Sequence, residues 1–243
     1  FLASLSLHLE KNHGYESISQ LFHGFFPQLQ SRIDPTQFNY SFMLELIANE
    51  ISEPIDDVRK SLDEYYSESY PQLSGYIRPV PVATHLIHKL HSLGLTIIIA
   101  TNPIYPEQAV LQRMAWGELL TGDYYSFITH AENMHYIKPS PQYYTELLGR
   151  IGFEPDEVLL VGDSIKNDLV PARTLGIRTF HVTSEVSSPA DRFGSLDYFC
   201  HLVSSNDTWL SDVEPVNLQP EMIEIQYQGN LAALYGLLSL VHE

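Results

Sequence analysis

The chain has 243 residues, 44% of them hydrophobic, enough for a sizeable core and one smaller module. Its formal net charge of −17 argues against nucleic acid or an anionic membrane surface as partner. No apolar run approaches the ~20 residues of a membrane span, no secretory signal opens the chain, and a lone cysteine, Cys200, excludes an internal disulfide framework. These features predict a cytoplasmic protein, while a first residue other than Met leaves room for a leader lost with the true N-terminus.

Taken in order, residues 1–12 read two ways. Leu5, Leu7 and Leu9 alternate like a strand, whereas Leu2, Leu5 and Leu9 fit one helical face, and Gly14 at a C-cap position favours the helix. From Glu16 to Ile55 apolar residues recur at helical spacing (Ile18, Leu21, Phe22, Phe25; Phe42, Leu46), punctuated by Pro27, Pro35 and Pro54. A further helix carries Ile55, Val58 and Leu62. Residues 1–77 are therefore expected to form a helical domain whose aromatics serve mainly as its core.

The character changes at the proline-rich junction Tyr76–Pro81, and residues 78–212 read as an α/β domain. A helix over Ala83–Leu93 stops at Gly94, and Leu95–Ala100 is a continuous apolar, β-branched run, the mark of a strand buried on both faces. Then come a helix near Pro106–Leu119, a strand near Phe127–His130, a helix over Ser140–Ile151 and a strand at Val158–Val161. A helix to Leu175 and strands at Ile177–Val182 and Tyr198–Leu202 complete the alternation. This rhythm predicts a doubly wound, mainly parallel, Rossmann-like sheet. Residues 213–243 fit an amphipathic helical extension packing on that core.

Two strand ends and one helix start carry chemistry. The run Val158–Val161 breaks into Gly162-Asp163, and a second carboxylate, Asp168, follows as the next helix begins. Such a turn places both aspartates at the carboxyl end of a strand, where open α/β sheets keep their ligands. With Ser164 and Asn167 they make an oxygen-rich set suited to a hard cation such as Mg²⁺, although an ordinary helix cap would use the same residues. Thr101-Asn102 ends the buried strand and offers a hydroxyl, an amide and backbone N–H groups to a phosphate. Lys138, one of only five lysines, precedes Pro139 at the start of a helix capped by Ser140-Pro141, where a fixed ammonium would neutralise a phosphate and clustered carboxylates.

In this order and at these separations, Thr101 after an apolar strand, Lys138-Pro139 and Gly162-Asp163-Ser-x-x-Asn167-Asp168 resemble motifs two, three and four of the haloacid dehalogenase-like hydrolases. The resemblance covers about Pro79 to Val182, and the helical start looks like that superfamily's helical cap domain. It implies hydrolysis of a small phosphorylated metabolite through an aspartyl-phosphate. Thr101 and Lys138 would be catalytic, Thr101, Asn102 and Lys138 would bind substrate, and Asp163 and Asp168 would ligate Mg²⁺, or Asp168 would orient its ligands. Oligomeric state is left open.

The family's first motif, Asp-x-Asp-x-Thr, which carries the nucleophile, does not occur in these residues. The expectation is that it lies upstream of Phe1, in a central strand flanked by Thr96–Ala100 and Val158–Val161, so that these two strands should not be hydrogen-bonded to each other. The alternatives are a metal-free 2-haloacid dehalogenase, against which the Gly162-Asp163 pattern argues, and a catalytically inactive member serving as a binding module.

Overall fold

The computed structural model of the chain describes residues 1–14, 18–119 and 121–205. Its first part is helical: α1 (Leu2–His13), α2 (Ile18–Gln30), α3 (Asn39–Ile51) and α4 (Ile55–Glu64), then a π-helical turn over Tyr65–Ser69 and a 3-10 stretch over Tyr70–Tyr76. In α1, Leu5 and Leu9 are buried while Leu7 is 64% exposed, which decides for the helical over the alternating pattern. Gly14 ends it in the left-handed region at φ 71°, a conformation that costs glycine nothing. Pro27 does not separate two helices but lies inside α2. Buried Phe25 and Leu29 flank it, and Ser31 N still donates to Pro27 O at 3.0 Å. Packing there outweighs the one hydrogen bond that proline removes.

The aromatics of this part are buried, as their abundance suggests. Tyr66 packs edge-on against Tyr65 and Tyr70, Phe1 meets Tyr65 and Tyr70 edge-on and stacks on Tyr66, and the Phe1 ring lies 4.8 Å from Tyr105 beyond the first strand. The π-helical turn bears on the same contact. Its Tyr66 carbonyl accepts from Gln112 Nε2 at 2.9 Å.

Helices and strands then alternate: α5 (Pro81–Ser92), β1 (Ile98–Ile99), α6 (Glu107–Trp116), β2 (Phe127–Ile128), α7 (Pro141–Ile151), β3 (Leu159–Gly162), a π-helical turn (Ile165–Leu169), α8 (Val170–Thr174), β4 (Arg178–Val182), β5 (Arg192–Gly194) and α9 (Leu196–Ser204). All strand pairings are parallel. Ile98 pairs with Phe127 in one sheet, while Leu159 pairs with Arg178, and Phe180 with Arg192, in the other. β1 and β3 fall in different sheets and are not hydrogen-bonded neighbours.

One expected strand is corrected: Tyr198–Leu202 lies within α9. Ser195 caps that helix by accepting from Tyr198 N at 3.1 Å, and Leu196, Phe199, Cys200 and Val203 are buried at three- and four-residue spacing. The third strand of the larger sheet is instead Arg192–Gly194, too short to show in the sequence pattern. The expected C-terminal helix lies outside the described residues. No helix among the described residues is long and apolar enough to cross a membrane.

Candidate active site

The site is built from two strand ends and the start of one helix. Ser140 caps α7 by accepting from Gln142 N at 3.2 Å, with Pro141 in the first turn. Lys138 sits two residues before this cap, and only 2% of it is exposed. Its Nζ donates to Asp168 Oδ1 at 2.6 Å and to Ala100 O, at the end of β1, at 2.7 Å. One ammonium thus joins the carboxyl end of β1 to the acidic turn after β3, although the two strands do not pair. A buried lysine needs such a partner, because an unpaired charge there would be far too costly.

Asp168 reaches this position through two local devices. The π-helical turn, begun by Ser164 Oγ accepting from Asn167 N at 3.1 Å, folds Asp168 back over the strand end. There it lies against Gly162: a Cβ on that glycine would stand 2.8 Å from Asp168 Cβ and 2.9 Å from its Oδ2. Only a residue without a side chain lets the carboxylate approach so closely. Asp168 Oδ2 accepts from Ser164 N at 3.1 Å, and Oδ1 receives Tyr144 Oη at 3.4 Å besides Lys138. Both oxygens are therefore engaged by protein donors. Asp163, by contrast, is exposed at the mouth of the turn, and its backbone carbonyl faces His181 Nε2 at 3.1 Å.

Thr101 and Asn102 are both buried, and they differ in what they leave available. Thr101 Oγ1 donates to Thr129 O at 2.8 Å, which commits its hydroxyl proton to the neighbouring strand. Asn102 Oδ1 accepts from the Lys138 N–H at 3.1 Å. Among the described residues no hydrogen bond from Asn102 Nδ2 is present. Lys138, Thr101, Asn102 and Asp168 are thus linked through direct or one-residue contacts, whereas Asp163 adjoins them through Ser164 and Gly162.

Sequence reasoning passed over several residues around this cluster. Tyr143 and Tyr144, successive on α7, lie with Lys138 Nζ 5.5 and 5.9 Å from their ring centroids. Tyr143 Oη donates to Thr101 O and Tyr144 Oη to Asn167 O, each at 2.8 Å. Burial first, and then the charge of Asp168, pushes both phenols well above their ordinary range, so they remain neutral donors. They scaffold the site and are not placed to shuttle protons. His181, opposite Gly162 on β4, has its pKa lowered by burial, opposed by the Asp163 carbonyl. Because that carbonyl can only accept, Nε2 carries the proton and Nδ1 accepts from the Ser188 hydroxyl at 2.9 Å. The one signal for these residues was their place in the register beside motif positions, since an aromatic on an apolar helix face ordinarily reads as core.

The donors fit a hard cation in kind, being carboxylate, hydroxyl and amide oxygens. They do not complete a site: among the described residues no group of three His, Cys, Asp or Glu side chains could hold a metal ion.

The model of the haloacid dehalogenase-like hydrolase family matches residues 13–182. The chain is 30% identical to a phosphoglycolate phosphatase of Neisseria gonorrhoeae over 168 residues, covering 69% of this chain and 63% of that protein. It is 28% identical to the Haemophilus influenzae phosphoglycolate phosphatase over 159 residues, covering 65% and 62%. The chain therefore spans a little under two thirds of the length of these relatives. In fold it is similar to the magnesium-bound HAD-hydrolase YfnB of Bacillus subtilis, with a TM-score of 0.50 and 17% identity over 83% of this chain and 90% of that one. The motif order, the parallel α/β architecture and the family match over residues 13–182 agree: this chain belongs to the haloacid dehalogenase-like hydrolases, whose Rossmann-like fold it adopts.

Proposed function

We propose that the protein is a Mg²⁺-dependent phosphatase of small phosphorylated metabolites, and that its nucleophilic aspartate lies upstream of Phe1 on a strand between β1 and β3. The observation that carries this reading is the Lys138 bridge: a buried ammonium bonded to the end of β1 and to Asp168 after β3. With β1 and β3 in separate sheets, a strand inserted between them would bring its carboxyl end towards this ammonium. Residues 1–77 would be the cap over the site, residues 78–212 the catalytic domain and residues 213–243 an extension on it.

Each residue then has a role. Asn102 Nδ2 and the backbone N–H groups after Thr101 would hold phosphoryl oxygens, with Thr101 acting as the hinge pin between β1 and β2 more than as a hydroxyl donor. Lys138 has two of its three N–H donors spent on Asp168 and Ala100. The third would stabilise charge spreading over the equatorial oxygens in the transition state. Asp163 would hold the cation directly, and Asp168, with both oxygens engaged, would orient Lys138 and the turn that presents Asp163. When bound, Mg²⁺ would supply Lewis-acid polarisation of the phosphoryl group. Local charge of this kind can outweigh the repulsion expected from a −17 chain, since screening confines that repulsion to about 8 Å at physiological salt.

The likeness to two phosphoglycolate phosphatases favours a short, anionic phosphate monoester as substrate. The test uses the full-length protein with phosphoglycolate, p-nitrophenyl phosphate and 2-chloropropionate, with Mg²⁺ or with EDTA. Release of inorganic phosphate that needs Mg²⁺ is expected. Halide release without phosphate release would replace this reading by the dehalogenase, and absence of both would leave a binding module.

A further inference from the structure

Asn39 opens α3, in the helical part of the chain, and none of its surface is exposed. α3 has no side-chain cap at its N-terminus. Its first N–H groups are instead satisfied by the other part of the chain: Asn39 N donates to Met134 O at 2.9 Å, and Tyr40 N to Ala131 O at 2.7 Å. The Asn39 side chain extends the same seam. Nδ2 donates to Pro103 O at 3.3 Å and to Tyr136 O at 3.2 Å. Pro103 follows Asn102, and Tyr136 stands two residues before Lys138. A single amide group therefore pins the loop after β1 to the loop that delivers the lysine.

The amide's orientation is forced by its partners. Arg32 Nη1, which can only donate, faces Oδ1 at 3.1 Å, while the two backbone carbonyls, which can only accept, face Nδ2. Arg32 is itself held over the Phe42 ring at 4.4 Å and bonded to the carbonyls of Asp34 and Gln37 in the turn before α3. Other hydrogen bonds join the same two segments, among them Lys138 N to Asn102 Oδ1 at 3.1 Å, Lys138 Nζ to Ala100 O at 2.7 Å and Ala131 N to Tyr105 O at 2.8 Å, but all of these lie within the α/β part. Among the described residues, Asn39 is the one side chain from the helical part with hydrogen bonds to both.

We propose that Asn39 is a positioning residue for phosphate-ester turnover: its docked amide holds the Asn102 loop and the Lys138 loop at the separation the site needs. This rests on the phosphatase reading for its kinetic consequence, but not for its structural one. Asn39→Asp keeps the size of the side chain and an acceptor for Arg32, and loses both donations to the loops. Packing is preserved while positioning is removed.

In the full-length protein, Asn39→Asp is expected to lower kcat on p-nitrophenyl phosphate by about 10- to 100-fold with KM changed less than about twofold, since an error of about 1 Å in placement costs that much. Val203→Ala, on the buried face of α9, serves as a control for lost stability. A fall in kcat no larger than in this control overturns the proposal. Amide hydrogen exchange on the same full-length proteins gives the second reading. Protection of the Lys138 and Ala131 amides should fall at least about tenfold in Asn39→Asp while that of Thr179 is retained. If the wild-type protein releases no phosphate from any monoester, the phosphatase reading fails and exchange alone decides. Unchanged protection at Lys138 and Ala131 then overturns the inference, and selective loss upholds it.

Discussion

Among the described residues two ion pairs are buried, one at each end of the larger sheet. Lys138–Asp168 lies past the carboxyl end of β3, and Arg173–Asp191 lies near the start of β4, with side chains 1% and 1%, and 8% and 2%, exposed. Both aspartates have their oxygens filled. Asp191 Oδ2 accepts from Thr179 N and Oγ1 at 2.7 and 2.9 Å, and its Oδ1 faces Arg173. By burial or saturation alone the two cannot be told apart. What differs is the cation and the surroundings. The arginine fork is planar and clamps Asp191 within the fold, whereas Lys138 is a point charge with a third donor, bordered by Asn102 and by exposed Asp163. A buried ion pair therefore marks function through what lies next to it.

The sharpest way to separate the pairs is to remove each cation. Lys138→Met in the full-length protein should lower kcat by at least about 10²- to 10³-fold. It should also cost about 3–5 kcal/mol, because Asp168 is left charged and buried. Adding Asp168→Asn should recover much of that stability, read from the urea midpoint, and none of the turnover. Recovery of both would make the pair purely structural.

Arg173→Met should cost a similar ~3–5 kcal/mol, yet leave kcat per folded molecule within about twofold of wild type, given the ±0.5 kcal/mol scatter usual for remote substitutions. A large kcat effect would erase the distinction drawn here.

Gly162→Ala tests the approach of Asp168 to the strand. A Cβ standing 2.8 Å from Asp168 Cβ forces a shift, at a cost of about 1–3 kcal/mol. Binding of Mg²⁺, followed by calorimetry, should weaken with it, whereas Gly149→Ala, where a Cβ meets nothing within 4 Å, should leave the metal affinity unchanged.

The smallest effect belongs to Glu132, at the rim between the helical part and the α/β part. Its pKa is held below the ordinary 4.5, first by the side-chain contact with His130 and also by the Glu107 N–H. A carboxyl with a depressed folded value contributes stability that is present above its unfolded value and is lost as pH falls through the folded one. Acid unfolding followed by circular dichroism should therefore show a loss below about pH 4.5 that Glu132→Gln makes shallower. An unaltered acid limb would exclude the contribution.

The cluster was legible in the sequence where chemistry and backbone demand coincide. Gly162 must be glycine for Asp168 to close on it, and Ser140-Pro141 must cap α7 for Lys138 to be placed, so both left sharp signatures. The saturation of Asp168 left none, because the donors come from Lys138, Tyr144 and Ser164, brought together only by the fold. Tyr143 and Tyr144 match the apolar periodicity of α7, and their hydroxyl bonds are invisible to periodicity. Asn39 lies 62 positions before Thr101, in a stretch that reads as plain helix. Tyr198–Leu202 was read as a strand because a short apolar run does not reveal its period, though Ser195 carried the cap signal.

The parallel pairing of the strands also bears on how the chain finds its structure. Ile98 meets Phe127 after 29 positions and Leu159 meets Arg178 after 19, and loop-closure entropy rises only slowly with such lengths. Ile99 of β1 and Phe180 of β4 lie in one buried cluster, so neither sheet has a complete core without the other. The Lys138 bridge needs both to be finished. In kinetic terms local contacts precede distant ones, and the Lys138 bridge, which ties residue 138 to residues 100 and 168, closes with the distant ones.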